Sequence, residues 1–267
     1  MTVRSCSDLI KVINKAIKGN AKLLYLNSME IDILPPEIGK ALSLQTLFLS
    51  DNNLRILPEE FGNLKKIRFL NLSKNKLAMV PKQLGSLENL EILYLWNNSI
   101  YRLSPELGNL KKLREIYLNE NKITKLIPEI TQLTELTGLF ASENYLTELP
   151  YGMSKLQKLK FIDLSHNKLT SLNSEIGELK NLESLDLSHN NLESLPESIA
   201  KLENLDFIDL SGNNFSEFPT ELLHLKKLRR LFIADNPIKS LPGEIQHLEM
   251  LQEIDISSTN ITMIPKE

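Results

Sequence analysis

The sequence predicts an α/β repeat solenoid, a fold in which turns of equal length stack on one another. Nine asparagines recur at intervals of 23 residues without insertion or deletion. Seven apolar positions recur at fixed places around each of them, and all 75 such positions in the chain are apolar. Because only 42% of the chain is hydrophobic, this agreement indicates a repeated structural unit. The asparagines are Asn52, Asn75, Asn98, Asn121, Asn144, Asn167, Asn190, Asn213 and Asn236.

Bulk composition limits the classes of protein to which the chain can belong. Its 267 residues are enough for a large buried core, in one or two domains by length alone. The 31 Lys and Arg residues nearly balance the 34 Asp and Glu residues, for a formal net charge of -3. Because such a chain has no broad basic field, we do not expect a nucleic-acid partner.

The sequence carries no recognisable export signal or membrane segment. Its first twenty residues lack an apolar stretch of signal-peptide length, and no segment approaches the roughly 20 apolar residues of a membrane span. We therefore expect a soluble protein, cytoplasmic by default, and secreted or surface-exposed only if an export signal was removed. The single cysteine, Cys6, excludes an internal disulfide and favours a reducing compartment.

Residues 7–19, SDLIKVINKAIKG, predict an amphipathic helix before the first turn. Ser7 is its expected N-cap and Gly19 its expected end. One helical face is apolar, and we expect it to cover the first turn. A membrane-surface helix is the alternative, which the short length and the modest basic charge disfavour. The apolar face consists of Leu9, Ile10, Ile13, Ala16 and Ile17.

Each turn contains LxxLxLxxNxLxxLP, as in residues 44–58 and 182–196, and its positions are counted here from the first leucine. A turn can bury its leucines only against the neighbouring turns, so the leucines form the core. The asparagine at position 9 follows the strand, where its amide can pair with backbone groups that would otherwise be buried unpaired. The terminal turns have Met29 and Thr259 at this position, as expected where a neighbouring turn is missing.

The extended pattern LxxLxLxxNxLxxLPxxIGxLxxL resembles the 23-residue type of the leucine-rich repeat family. It is similar to the repeats of Ras-suppressor-like intracellular proteins, of plant intracellular proteins and of bacterial proteins of the Leptospira type. The resemblance implies a horseshoe with a parallel β-sheet on its concave face and short helical or 3₁₀ segments on its convex face. We expect a capping helix at residues 1–20 and a repeat domain at 21–267, with eleven turns of which the last is partial.

Departures from the pattern predict local changes that leave the repeat length intact. Proline falls one place late at Pro105 and Pro128, Asn173 stands in place of a proline, and one core position shrinks to Ala141. We expect changes on the convex side or a slightly thinner turn. At the C-terminal end no segment comparable to the N-terminal helix covers the edge strand. We expect a homodimer or residues beyond the given chain to cover that edge.

Positions 2, 3, 5, 7 and 8 of each turn are not needed for the core, so we expect function to reside there. Position 5 is mostly aromatic in the first half of the array and aspartate in the second. With strands about 4.8 Å apart, the aromatic residues form a patch of the kind enriched in interface hot spots. The aspartates repel each other, which solvent, a cation or a basic partner would screen. The predicted protein-binding residues are Tyr25, Phe48, Phe69, Ile92, Tyr94, Trp96, Tyr117, Phe140, Asp163, Asp186 and Asp209.

Trp96 is the sharpest single candidate for a binding contact, because every other turn has Ser, Asn or Ala at position 7. The alternative is structural. On that interpretation, the aromatic and aspartate side chains only cover one another on a sheet that remains wet.

Groups that could support catalysis are sparse. His166 and His189 lie on neighbouring turns near Asp163 and Asp186, so a metal site is geometrically conceivable. Two similar consecutive turns would produce the same arrangement without a metal. No phosphate loop, zinc-protease motif or paired nucleophile and base is present in the sequence. We expect no enzymatic activity, no metal and no cofactor.

The sequence therefore predicts a non-enzymatic module that binds a protein partner on its concave face. An exported bacterial protein that engages host proteins is one setting implied by the resemblance, and an intracellular signalling scaffold is another. A receptor for carbohydrate or another small ligand is an alternative, although a broad shallow surface buries small ligands poorly. A further alternative is structural self-assembly through the C-terminal edge.

Overall fold

A computed structural model describes residues 6–265 of the chain. The chain forms two compact units, Met1–Ile123 and Thr124–Glu267, which are described in turn. The predicted division into a capping helix at 1–20 and a repeat domain at 21–267 stays a prediction.

The first unit begins with the predicted amphipathic helix, α1, at Cys6–Lys18. Leu9 and Ile13 are buried, and the helix packs against the 3₁₀ helix Pro36–Lys40 of the first turn. The predicted capping role of the apolar face is therefore confirmed. The predicted N-cap is wrong, because α1 includes Cys6 and Ser7 lies within its first turn.

The helix ends at Lys18, one residue before the predicted end at Gly19. Asn20, rather than Gly19, adopts the left-handed conformation, with a φ of 47°. The Asn20 N–H donates to the Ile17 carbonyl at 3.1 Å, and the Ala21 N–H donates to the Ala16 carbonyl at 3.0 Å. These two bonds form a Schellman motif, in which asparagine tolerates the left-handed position better than most residues.

Short parallel strands follow in both units, each formed by positions 3 to 5 of a turn. Neighbouring strands pair 23 residues apart, as Leu24 pairs with Leu47. The strands of the first unit are β1 (Leu23–Tyr25), β2 (Thr46–Phe48), β3 (Phe69–Asn71), β4 (Ile92–Tyr94) and β5 (Glu115–Tyr117). Those of the second unit are β6 (Gly138–Phe140), β7 (Phe161–Asp163), β8 (Ser184–Asp186), β9 (Phe207–Asp209), β10 (Arg230–Phe232) and β11 (Glu253–Asp255).

A short 3₁₀ helix closes the second half of each complete turn. The late prolines Pro105 and Pro128 are the first residues of their helices, whereas Asn173 caps the next five-residue helix by accepting the Glu175 N–H at 3.1 Å. The departures thus change helix starts and leave the turn length intact, as predicted. The 3₁₀ helices of the described residues are Pro36–Lys40, Glu59–Asn63, Lys82–Ser86, Pro105–Asn109, Pro128–Gln132, Met153–Lys155, Ser174–Glu178, Glu197–Lys201, Thr220–His224 and Gly243–His247.

The core lies between the strands and the 3₁₀ helices of each unit. The central strand residue, such as Leu47 or Leu185, points inward and is fully buried, while its two neighbours point to the opposite side and are mostly half-buried. We call that opposite side the strand face; it comprises positions 3, 5 and 7 of each turn. The predicted fold class, a repeat solenoid of parallel strands and short 3₁₀ helices, is confirmed within both units.

The ladder asparagines hold neighbouring turns together. The Asn190 Oδ1 accepts the Leu169 N–H of the preceding turn at 2.9 Å. Its Nδ2 donates to the Leu164 carbonyl of that turn and to the Leu187 carbonyl of its own turn, both at 3.0 Å. The predicted structural role of the asparagine is therefore confirmed.

Position 8 of every turn in the described chain adopts the left-handed conformation, which the sequence pattern did not predict. The φ angles run from 50° at Asp235 to 65° at Gly212. In this conformation the N–H can bond to the next turn, as the His189 N–H donates to the Ser211 carbonyl at 2.7 Å. The residues are Ser28, Asp51, Lys74, Asn97, Glu120, Glu143, His166, His189, Gly212, Asp235 and Ser258.

The last turn of the second unit leaves core-type side chains accessible. Ile254 is 36% exposed, whereas Leu231 at the same position of the preceding turn is fully buried. Ile264 is 70% exposed. Within residues 6–265, no helix has the length and apolar character required to cross a membrane.

Candidate functional site

The strand face of the first unit carries an unbroken line of aromatic rings, which we call the aromatic stripe. At its two ends the rings stack nearly parallel, with centroids 4.8 Å apart for Tyr25 and Phe48 and 4.3 Å for Tyr94 and Tyr117. Phe69 links the two pairs, 5.0 Å from Phe48 and 5.4 Å from Tyr94. The structure thus brings five of the predicted binding residues into mutual contact.

Phe69 closes a gap that position 5 alone would leave. Asn71 occupies position 5 of β3, so no ring is available there. Phe69 lies two residues earlier on the same strand and faces the same side, because side chains alternate along a strand. Its ring takes the place of the missing one, and the stripe remains continuous.

Part of every ring in the stripe is accessible to a partner. Tyr25 is 59% exposed, and Phe48, Phe69, Tyr94 and Tyr117 are half-buried. Rings that already contact each other lose little side-chain freedom on binding. A preorganised apolar surface of this kind suits recognition more than it suits catalysis.

Glu115 fixes the last ring of the stripe. The Tyr117 hydroxyl donates to a Glu115 carboxylate oxygen at 2.8 Å. Burial of the hydroxyl, this hydrogen bond and the negative charge of Glu115 raise the pKa of Tyr117 above its usual range. The ring is therefore a neutral phenol at physiological pH, and Glu115 is a site residue that the sequence pattern did not reveal.

Two further predicted residues flank the stripe. Ile92 is half-buried and pairs in register with Phe69. Trp96 is also half-buried, and the Lys74 Nζ lies 5.0 Å from the centroid of its ring. This cation–π contact covers part of Trp96 and gives its environment a positive charge.

The remaining predicted residues belong to the second unit. Phe140 is half-buried and pairs in register with Asp163. Asp163, Asp186 and Asp209 pair in register along β7, β8 and β9, so the predicted line of aspartates is present.

Each of these aspartates also has a local structural role. One oxygen of Asp163 accepts the Ser165 N–H at 3.0 Å and the Ser165 hydroxyl at 2.7 Å. One oxygen of Asp186 likewise accepts the Ser188 N–H at 2.9 Å and the Ser188 hydroxyl at 2.7 Å. Asp209 accepts the Ser211 N–H at 2.8 Å. Sequence reasoning missed this role. The signal was a serine two residues after every Asp or Asn at position 5.

The central aspartate is electrostatically strained. Burial of the Asp186 carboxyl raises its pKa, the hydrogen bonds from Ser188 lower it, and the charges of Asp209 and Asp163 raise it further. The net pKa is above the usual range, so the charged form is disfavoured in the folded protein.

The second unit has an aromatic cluster beyond the predicted residues. The rings of Phe207 and Phe232 meet edge to face with centroids 5.5 Å apart. The Arg230 guanidinium lies 4.6 Å from the centroid of Phe207. The signal available in the sequence was the placement of these residues at positions 3 and 5.

His166 and His189 form a stacked pair, with ring centroids 4.2 Å apart. Within residues 6–265, no group of three or more His, Cys, Asp or Glu side chains is arranged to hold a metal ion. The neighbouring carboxylates of Asp163 and Asp186 are engaged with serines, as described above. Both histidines occupy position 8 of adjacent turns, which brings their rings together.

The sequence matches the family model of the leucine-rich repeat region at residues 3–117, 59–151 and 151–231. No curated protein matches the chain. A leucine-rich repeat protein of Leptospira interrogans is 35% identical, with a TM-score of 0.77 over 94% of this chain and 71% of that one.

Two receptor structures are also similar to the chain, which spans less than half of each. The ectodomain of the Arabidopsis thaliana receptor kinase GASSHO1/SCHENGEN3, solved with CASPARIAN STRIP INTEGRITY FACTOR 2, is 28% identical with a TM-score of 0.62, over 91% of this chain and 36% of that one. TLR13, solved with ssRNA13, is 27% identical with a TM-score of 0.79, over 92% of this chain and 38% of that one.

Proposed function

The chain belongs to the leucine-rich repeat family, and we propose that it is a non-enzymatic module that binds a protein partner on its strand face. The observation that carries this proposal is the aromatic stripe. Its five rings lie on the solvent side of the sheet, and none of them is fully buried. Clustered tyrosines and other aromatics are typical of the few residues that supply most of the energy of an interface.

The dimensions of the stripe suit a protein segment. Five strands about 4.8 Å apart place its ends roughly 19 Å from each other. That length matches about six residues of extended chain or about thirteen residues of α-helix. The energy of binding would come from apolar burial against rings that are already ordered.

The charge of the second unit indicates what else the partner carries. Asp163, Asp186 and Asp209 lie side by side on its strand face, and each has one oxygen bound to a local serine. A basic segment would relieve their mutual repulsion. We therefore propose a partner that has both an apolar and a basic region.

The biological setting that we propose is an exported bacterial protein that engages host proteins and contributes to virulence. Its support is the 35% identity to the Leptospira interrogans protein. An intracellular signalling scaffold is the alternative setting. An export signal in the complete gene would favour the first setting, and its absence there would favour the second.

The test is a quantitative pull-down that compares the wild type with Tyr94→Ala/Trp96→Ala. We expect the double variant to lose most of the partner, because it interrupts the stripe and removes its largest flanking side chain. The matched control is Tyr145→Ala/Tyr151→Ala, which removes two exposed aromatics outside the strand face. Full partner recovery by a folded Tyr94→Ala/Trp96→Ala protein would reject the strand-face proposal.

Single-stranded RNA is a second candidate partner, because TLR13 was solved with ssRNA13. The net charge of -3 and the aspartates on the strand face argue against it. Fluorescence anisotropy with a labelled single-stranded RNA tests this candidate directly. Saturable binding at physiological salt, lost in Tyr94→Ala/Trp96→Ala, would replace the protein partner with RNA.

A carbohydrate ligand is the other alternative that the aromatic stripe leaves open. Aromatic faces can stack on sugar rings, and Trp96 is the largest such side chain. Glycan-array binding that Trp96→Ala abolishes would favour this alternative over a protein partner.

We also propose a homodimer through the C-terminal edge of the second unit. Its support is the exposure of Ile254 and Ile264, whose counterparts in earlier turns belong to the core.

A further inference from the structure

A separate groove of about 610 Å³ lies in the first unit, on the loops that follow the ladder asparagines. Ile56, Ala78, Met79, Leu103 and Pro105 supply much of its apolar lining. Ile56 is 69% exposed and Met79 is 51% exposed, so apolar side chains are accessible on either side of Ala78. None of these residues belongs to the aromatic stripe.

Local departures from the repeat create this groove. Position 12 carries the long side chains of Arg55 and Tyr101 in two turns, but Ala78 in the turn between them. The backbone below is fixed, since the Tyr101 N–H donates to the Ala78 carbonyl at 3.0 Å and the Val80 N–H donates to the Arg102 carbonyl at 3.1 Å. The depression is therefore built into the fold.

The groove is lined by cations and by no carboxylate. Arg55, Lys76 and Arg102 contribute to its wall, and none of the three forms an ion pair within residues 6–265. Lys82 also lines the groove, but it pairs with Glu59 at 3.6 Å. Other lysines on the same kind of loop are paired, as Lys125 is with Glu148 at 2.9 Å in the second unit. The groove thus combines an apolar surface with three cations, Arg55, Lys76 and Arg102, that no carboxylate compensates.

We propose that this groove binds a small amphipathic anion, namely a carboxylate with an apolar tail of about ten carbons. Its volume lies within the range of about 300–1,000 Å³ that is usual for small-ligand sites. The tail would cover Ile56, Ala78 and Met79, and the carboxylate would pair with Arg55, Lys76 or Arg102. All three cations are exposed, so solvent and salt screen such a charge pair.

The first test is isothermal titration calorimetry of the full chain with decanoate, below its micellar concentration, and with decanol. We expect one decanoate per chain, decanol binding weaker by about tenfold, and decanoate affinity that falls as salt rises. Arg102→Glu should weaken decanoate by at least about tenfold, because the substitution places a like charge beside the carboxylate. Lys239→Glu is the charge-matched control, since Lys239 is an exposed position-12 residue of the second unit, and it should bind like the wild type.

The second test fills the groove. Ala78→Tyr should abolish decanoate binding, and it should fold because Tyr101 occupies the equivalent position of the next turn. Thr170→Tyr makes the same type of change at position 12 of a turn in the second unit and should leave decanoate binding intact. Tyr94→Ala/Trp96→Ala should also retain decanoate affinity, so this test is independent of the strand-face proposal.

Several results would overturn the assignment. They are the absence of decanoate binding, equal affinity for decanol, and unchanged binding by folded Ala78→Tyr. A peptide of alternating Asp and Leu that saturates the groove where decanoate does not would identify a protein segment as the occupant. A concentration-dependent mass that Ala78→Tyr removes would identify a second copy of the chain instead.

Discussion

At the scale of single residues, a ladder asparagine matters because several backbone groups depend on its side chain, and the Asn190 amide bonds to four of them. We expect Asn190→Ala to lower the free energy of unfolding by about 3 kcal/mol, since it leaves the Leu169 N–H and the carbonyls of Leu164 and Leu187 without the amide that now pairs with them. Urea unfolding followed by circular dichroism measures this loss.

The neighbouring asparagine provides the control for this prediction. Asn191 is exposed, so Asn191→Ala should change the free energy of unfolding by less than about 0.5 kcal/mol. Equal effects of Asn190→Ala and Asn191→Ala would show that the amide bonds contribute little beyond those that water can replace.

Asp186 should destabilise the fold in its charged form. Its folded pKa is raised, so the destabilisation by the charged carboxylate is fully present above that pKa and is relieved as the pH falls through it. We expect Asp186→Asn to stabilise the protein by about 1 kcal/mol at pH 7. Mild acidification should then stabilise the variant less than it stabilises the wild type. Asn71 supports tolerance of the change, because its Oδ1 already accepts the Ser73 N–H at 2.9 Å and the hydroxyl at 2.6 Å.

Asp255 supplies the opposite case within the same Asp-x-Ser arrangement. Hydrogen bonds from the Ser257 hydroxyl and N–H lower the pKa of Asp255 in the folded protein. Its charged form therefore stabilises the fold at pH values above the unfolded pKa. This stabilisation is lost as the pH falls through the folded pKa. Asp255→Asn should therefore reduce the melting temperature at pH 7, where Asp186→Asn raises it. Shifts of the same sign in thermal unfolding at pH 7 would contradict the electrostatic explanation.

At the scale of elements, a glycine determines how closely consecutive 3₁₀ helices pack. A Cβ at Gly177 would overlap the Ser198 carbonyl oxygen, which belongs to the backbone of the next helix. We expect Gly177→Ala to destabilise the protein by about 2 kcal/mol, because the two helices must separate. The measurement is the midpoint of chemical unfolding.

Gly243 is the matched control for the packing of these helices. A Cβ there meets no atom within 4 Å, so Gly243→Ala should be neutral or slightly stabilising. If both alanine variants were neutral, the close approach at Gly177 would have no energetic consequence.

The elements themselves were largely predictable from the sequence. The 23-residue period fixed which residue of each strand points inward, as Leu47 and Leu185 do, and the apolar spacing located α1. The left-handed conformation at position 8 was predictable only in part, because Asp, Asn, His and Gly favour it in several turns but Lys74 and Glu120 do not. Stacking of adjacent turns imposes it through hydrogen bonds such as that from the His189 N–H to Ser211.

At the scale of the whole molecule, the two candidate sites differ in how visible they are in the sequence. The aromatic stripe follows from periodicity, which places Tyr25, Phe48 and Tyr94 on one face. The groove does not follow from the repeat. It depends on the short side chain of Ala78 in one particular turn and on the cations of its wall that have no carboxylate nearby. Pairing between side chains of different turns requires coordinates, so only the first site could be predicted.

The proposed homodimer makes a prediction for the molecule as a whole. A two-fold axis would bring the β11 strands of two copies together as antiparallel neighbours, cover Ile254 and Ile264, and supply partners for the backbone of the edge strand. We expect the mass measured by light scattering to rise towards twice that of the monomer with increasing concentration. Ile254→Lys/Ile264→Lys should remain monomeric, because it places charge in the apolar contact. Ile33→Lys changes an exposed position outside the core and should dimerise like the wild type. A wild-type mass of one chain at every concentration would reject the dimer.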